Sequence, residues 1–299
     1  MAIYYYDLIN ALADMNAEMF IKQCENNYKY AITSAAEQFI ARGNRIIMLA
    51  GPSSSGKTTS AKILINTFKE KGYKASLVSL DDFYFDDRSK YPLNEDGSYN
   101  FESPLALDLE LIKKCFAELI EKGESDMPVF DFETHKRIWG KNKVTYDDDT
   151  FIVVEGIHGL NPCITDNLPK DKMGKIYVSV SSRIYDRNNK IMLAKREIRF
   201  LRRLVRDYKF RSTSVDETFD VWQSVCNGEN EYIFPFRNQA DVKVDTFIPY
   251  EICMLSSAAL EILPDASEDT TELRQKLEKF RHLKNKLMPE DSMLHEFLG

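Results

Sequence analysis

The sequence predicts an α/β fold, a parallel sheet with helices on both faces, and three observations carry that expectation. Short apolar β-type runs alternate with helical periods from Arg45 onward. A glycine-rich loop joins the first of these runs to a helical pattern, and two of the runs end in acids, the edge at which α/β sheets bind their ligands.

The elements follow in order. Residues 1–44 read as a helical extension, in which Leu8, Leu12, Met15 and Met19, then Ile32, Ala36, Phe39 and Ile40, recur at helical spacing and stop at Gly43. Ile46–Ala50 is the first strand, followed by a helix from Lys57, a strand at Ala75–Leu80 and a helix from Leu107 to Glu121. Phe151–Val154, Ile176–Val180 and Val242–Phe247 complete the strands. Between Met127 and Tyr146 turn residues and β-type residues break the alternation, which predicts an inserted hairpin placed to cover a ligand. The tail after Tyr250 is helical, with a break at Pro264–Asp269 and a charged amphipathic helix from Thr271 to about Leu287. The expected organisation is a helical extension over 1–44, a central domain over 45–250 and a C-terminal helical extension over 251–299.

Composition narrows the function. No apolar run approaches the roughly 20 residues of a membrane-spanning helix, and the start MAIYYYDLIN lacks the basic flank of a secretory signal. The five cysteines are scattered and never form C-x-x-C, which argues against a disulfide framework or a zinc site and for a reducing cytoplasm. A net charge of -7 disfavours nucleic-acid partners.

The loop Gly51-Pro-Ser-Ser-Ser-Gly56-Lys57-Thr58 matches G-x-x-x-x-G-K-[ST] between a strand and a helix, the context that motif demands. Its glycines let successive N–H groups turn inward, and the helix N-terminus adds positive potential, so the main chain of Gly51, Ser53, Ser54, Ser55 and Gly56 can cradle phosphates. Lys57 is expected on the β- and γ-phosphates of ATP, the Thr58 hydroxyl on Mg2+, and Thr59 on the α-phosphate. The fold expectation sharpens accordingly to a P-loop NTPase-type sheet.

Two strand ends bear acids. Ser79-Leu80-Asp81-Asp82 closes one, and Val154-Glu155-Gly156 closes another. Glu155 suits the magnesium shell, and Asp81 suits the metal and the proton of an attacking hydroxyl. Asp82 reads as a solvated turn or cap residue.

These motifs, taken with Asp81-Asp82-Phe83-Tyr84, Asn100-Phe101-Glu102-Ser103-Pro104, Pro128-Val-Phe-Asp-Phe-Glu-Thr-His135-Lys-Arg137 and Arg202-Arg203-Leu-Val-Arg206-Asp207, resemble the uridine kinase and phosphoribulokinase family over about residues 45–250. Trp222 through Pro235 and the ending from Pro289 to Gly299 resemble a bacterial uridine-kinase-like branch. The resemblance implies Asp81 as catalytic base, Tyr84 beside the acceptor, and Glu102 where the family holds ribose hydroxyls with an Asp. It implies a base pocket from Phe130, Phe132 and His135, closed by Arg137, with Ile157 also in the acceptor site. Phe130 stands where the family has Tyr, which removes a hydrogen bond and keeps the stacking area. Phe130 and Phe132 also alternate as strand core residues would, and His135 also fits a turn cap.

Arg196, Arg199, Arg202, Arg203, Arg206 and Arg211 recur along a predicted helix, within an expected lid over about 189–213. Guanidinium groups there can neutralise charge developing on a transferred phosphoryl group. The resemblance singles out Arg203 and Arg206 as catalytic and Arg206 and Arg211 as nucleotide-binding, while Arg196 and Arg199 read as a solvated face. The family's R-x-x-R-D-x-x-x-R-G-R run loses its last Arg and Gly at Ser212-Thr213. The expected function is an ATP- and Mg-dependent phosphotransferase acting on the 5'-hydroxyl of a nucleoside. Another hydroxylated metabolite, or a non-catalytic nucleotide-binding module, are the alternatives. Expected partners are ATP and a small-molecule acceptor, with no nucleic acid and no membrane, and homo-oligomerisation is left open.

Overall fold

Five parallel strands in the order β10-β7-β2-β6-β3 form the centre of the computed structural model, which describes residues 3–264 and 268–299. In chain order the first half runs β1 (Tyr4–Tyr5), α1 (Tyr6–Ala41), β2 (Ile46–Ala50), α2 (Lys57–Glu70), β3 (Lys74–Ser79) and α3 (Leu109–Lys122). The hairpin β4 (Glu124–Asp131) and β5 (Lys136–Thr145) follows, then β6 (Thr150–Glu155), α4 (Pro162–Thr165) and β7 (Met173–Ser179). The remainder is β8 (Ile184–Tyr185), β9 (Ile191–Leu193), α5 (Lys195–Phe210), α6 (Val215–Gly228), β10 (Val242–Asp245), α7 (Glu251–Ile262), α8 (Glu268–Leu277) and α9 (His295–Leu298).

The central strands β2 and β6 are buried at every residue, which is why they read as unbroken apolar runs. Their pleat divides them between two cores. Ile47, Leu49, Phe151 and Val153 face α1, α2, α5 and α7, whereas Ile46, Met48, Ile152 and Val154 face α3. Pairing of Leu49 with Glu155, and of Ser79 with Glu155, brings the ends of β2, β6 and β3 to one edge.

Three expectations change. Leu8, Met15 and Met19 are exposed, and the buried residues of this stretch are Ile9, Ala13 and Phe20. The buried face is set one position along from Leu8 and Leu12 before the helix is interrupted at Asn16 (φ -163°, ψ 91°), whose side chain accepts the Met19 N–H at 2.9 Å and caps the second half. The outward residues line a cavity of about 1000 Å3 between α1, β10 and the start of α5. The charged helix of the tail stops at Leu277, not near Leu287, and Asp269 lies inside it rather than in the break; residues 265–267 of that break lie outside the described residues. The hairpin starts at Glu124, with a register shift between Met127 and Val129 around Pro128, which has no N–H for the ladder.

Among the described residues no helix is long and apolar enough to cross a membrane.

Candidate functional site

The loop between β2 and α2 is shaped by contacts only glycine permits. A Cβ on Gly51 would stand 2.1 Å from the Val178 carbonyl oxygen, and Gly56 adopts φ +80°. Ser54 is also left-handed, at φ 55°. The Ser54 and Ser55 hydroxyls are buried without a hydrogen-bond partner. A buried orphan of this kind costs about 1–3 kcal/mol, so the loop is built for an acceptor-rich ligand. Lys57 donates to the Pro52 carbonyl at 3.2 Å, and the Thr58 side chain is exposed at the mouth.

Two buried arginines brace this loop from behind. Arg199 Nε donates to the Ser53 carbonyl at 3.0 Å and pairs with Glu229. Arg202, fully buried, donates to the carbonyls of Ser54 at 3.2 Å and Thr246 at 2.7 Å and pairs with Glu251 at 2.7 Å. With its carbonyls held outward, the loop keeps its N–H groups for a ligand. Arg199 is therefore not on a solvated face as its helical spacing suggests. The carboxylates that permit its burial lie 30 and 49 residues downstream of their arginines, beyond any local pattern. Arg196 does keep solvent contact, although it too leans on Glu229 at 3.9 Å.

The acids gather at the same edge. Asp81 sits in the tight turn after β3, and Glu155 ends β6 with the Ser79 hydroxyl donating to it at 3.0 Å. Burial raises both pKa values, the Lys57 charge opposes it in both, and the Asp81 charge pushes Glu155 further up. Glu102 is pushed up to about 7 by burial, with Arg203 pulling it back. Gly228, at the end of α6, makes room for it, since a Cβ there would lie 2.3 Å from Glu102 Cβ. The Lys57 charge thus acts on Asp81, Glu102 and Glu155 alike. Among the described residues no three His, Cys, Asp or Glu side chains form a metal cage. Magnesium does not require one, because it keeps waters and phosphate oxygens in its shell, and the Thr58 hydroxyl with Asp81 and Glu155 fits that demand.

The remaining site residues lie on or under the hairpin. Asp82 is not a solvated turn residue: its Oδ1 accepts the Phe130 N–H at 2.9 Å and pins the hairpin to the turn after β3. Phe130 is buried and Phe132 exposed, 5.0 Å apart edge to face, with Tyr84 about 6 Å from each. His135 occupies the hairpin turn at φ 54°, its ring 6.5 Å from Phe130. The Arg137 guanidinium is engaged by the protein, pairing with Asp108 at 3.0 Å and donating to the carbonyls of Tyr84 and Phe83. It fastens the hairpin instead of standing free to close over a base. Ile157 is half-buried in the loop after β6.

Beside Ile157, His158 escapes sequence reasoning. It is buried, and neither ring nitrogen has a hydrogen bond of good geometry. Burial and the Lys57 charge lower its pKa to about 3, with the Glu102 backbone opposing, so the ring stays neutral. A lone histidine after G-I offers no local signal; only the fold sets it between Lys57 and Tyr232.

In α5 three guanidinium groups converge on one buried carboxylate. Asp207 receives Arg203 at 3.1 Å, Arg206 at 2.7 Å and Arg211 at 3.5 Å. Arg206 is lowered to about 10, by burial first and by Arg211 next. Three cations on one anion leave an excess of positive charge suited to phosphate. Arg203 also donates to the Ser53 hydroxyl at 3.2 Å, joining α5 to the loop.

Residues 46–251 match the Phosphoribulokinase / Uridine kinase family. A uridine kinase of Geobacillus kaustophilus is 31% identical over 198 residues, which is 66% of this chain and 83% of the relative. A uridine kinase of Oceanobacillus iheyensis is 29% identical over 199 residues, 66% of this chain and 84% of the relative. A solved structure described as a possible uridine kinase from Bacillus stearothermophilus covers 72% of this chain and 97% of its own, at 19% identity and a TM-score of 0.47. With its loop, its acids and its matched span in agreement, the chain belongs to the phosphoribulokinase and uridine kinase family of kinases.

Proposed function

We propose that the protein is an ATP- and Mg-dependent kinase of a nucleoside 5'-hydroxyl, with a uridine- or cytidine-like acceptor, working in the cytoplasm. The observation that carries this reading is the convergence of Asp81, Glu102 and Glu155 on Lys57 beside a loop with orphaned buried hydroxyls. Bound Mg-ATP supplies the phosphoryl group and the charge that the cation shell must match. The loop N–H groups and Lys57 hold phosphate oxygens, and Thr58, Asp81 and Glu155 hold the metal's waters. Asp81 accepts the acceptor hydroxyl's proton as that oxygen attacks, Glu102 binds the ribose hydroxyls, and Tyr84, Phe130 and Phe132 bound the base. Arg203, Arg206 and Arg211 neutralise the charge that gathers on the transferred group. The central domain 45–250 holds all of these residues. Five free cysteines, of which only Cys163 is not fully buried, suit a reducing compartment.

Turnover of Mg-ATP against a panel of nucleosides tests the proposal, and no phosphorylated nucleoside from any of them would defeat it. Two positions support a second reading, a different hydroxylated acceptor: Phe130 brings no hydroxyl to the base, and Thr213 no guanidinium. The same panel, extended to sugars and other small alcohols, separates the two.

The acceptor step should depend on pH through Glu102. Below about 7 its carboxyl is protonated, and above it the carboxylate can accept two hydroxyl bonds. Acceptor kcat/KM is therefore expected to rise through about pH 7, and Glu102→Gln to flatten that limb while lowering activity. The same upward shift means that the folded chain keeps a proton the unfolded chain has released. Its stabilising contribution is complete below 4.5 and is lost as pH rises through about 7. A pH series of melting curves for wild type and Glu102→Gln reads this out.

A further inference from the structure

The tail returns to the phosphate loop. Met293 is buried against Gly56, so close that a Cβ there would stand 2.1 Å from its sulfur. The Glu296 carboxylate accepts the Thr59 N–H at 2.6 Å and the Thr59 hydroxyl as well. That N–H is the third of α2, one of the orphan donors at a helix N-terminus where an anion is favoured. Thr59 is also the residue that sequence reasoning reserves for the α-phosphate.

We propose that Glu296 is the chain's own anion in the α-phosphate seat and a specificity-determining residue for the phosphoryl donor. A nucleotide must displace its carboxylate, whereas pyrophosphate, occupying only the seats nearer Lys57, leaves it in place. This rests on the nucleotide-binding reading above. The moving part is the side chain and not the tail. Met293, Leu294 and Phe297 are fully buried, Phe297 lies over the Arg202 guanidinium at 5.2 Å, and Lys209 holds the Leu298 carbonyl at 2.9 Å. Lifting the segment would expose this whole apolar face, while Glu296 is only half-buried and needs a change of rotamer. The backbone of 291–298 then acts as a fixed wall of the nucleotide site, with one swinging carboxylate upon it.

Isothermal titration of ADP and of pyrophosphate, each with Mg2+, into wild type, Glu296→Gln and Glu296→Ala tests this. Expected is an ADP Kd about tenfold tighter in both variants, with pyrophosphate affinity unchanged. ADP affinity that is equal or weaker in both variants, with a lower melting temperature, overturns the proposal and leaves Glu296 as a helix cap. Equal tightening for ADP and pyrophosphate overturns it too, since the effect would then be general charge and not occupancy of one seat. Pyrophosphate binding without ADP binding in all three proteins overturns the nucleotide reading, and this inference with it, a pattern distinct from the other two.

Discussion

Replacing Asp81 by Asn should lower turnover by roughly 10²–10⁴-fold while the ATP Kd moves little. Asp81 lies in the turn after β3, half-buried, with its charge coupled to Lys57 and Glu155. An amide of the same shape keeps the packing and removes the proton acceptor. Lys57→Ala acts on the other side of the reaction. It deletes the loop's cation, so turnover should be abolished and nucleotide affinity should fall together with it. Single-turnover kinetics with separate nucleotide titrations distinguish the two variants. Parallel loss of binding and turnover in Asp81→Asn would count against Asp81 as the base.

The second large effect concerns stability. Arg202→Met removes the partner of a buried carboxylate, since Arg202 and Glu251 are both fully buried and 2.7 Å apart. Leaving one charge of such a pair uncompensated costs about 3–5 kcal/mol, which in a chain of this size lowers Tm by roughly 10 °C. Burial already raises the Glu251 pKa against the pull of Arg202, so removing the arginine raises it further. The folded variant then holds a proton the unfolded chain releases, and its stability falls as pH rises through that interval. Arg202→Met with Glu251→Leu should recover much of the loss. If the double variant melts no higher than the single one, the damage lies in the Ser54 and Thr246 carbonyl bonds instead. Thermal melts across pH read all three proteins.

The parts legible in the sequence were those with a short-range cause. The strands β2 and β6 are buried on both faces and so appear as unbroken apolar runs, and Gly51 and Gly56 mark backbone that no side chain tolerates. Acids at strand tips followed from the strands themselves, and the structure does bring Asp81, Glu102 and Glu155 around Lys57. What escaped was long-range. Arg199 and Arg202 look like any cation on an amphipathic helix until Glu229 and Glu251 are placed beneath them. His158 and Glu296 carry no motif, and only the return of the tail to α2 gives Glu296 a partner. The stripe of Leu8, Met15 and Met19 has helical spacing, yet the neighbouring stripe of Ile9 and Ala13 is the one the core covers, a choice made by tertiary packing and not by periodicity.

The bracing of α5 has a mechanical corollary. Arg199, Arg202 and Arg203 bolt the first three turns of that helix to the loop and, through Glu251, to the start of α7. A hinge cannot lie there without breaking buried ion pairs. On the proposed reading, closure around an acceptor falls to the hairpin, which Asp82 and Arg137 pin at the Phe130–Arg137 pair, so that only the turn carrying Phe132 and His135 extends beyond the pins. Amide exchange in that turn, and not in α5, is where acceptor binding should register.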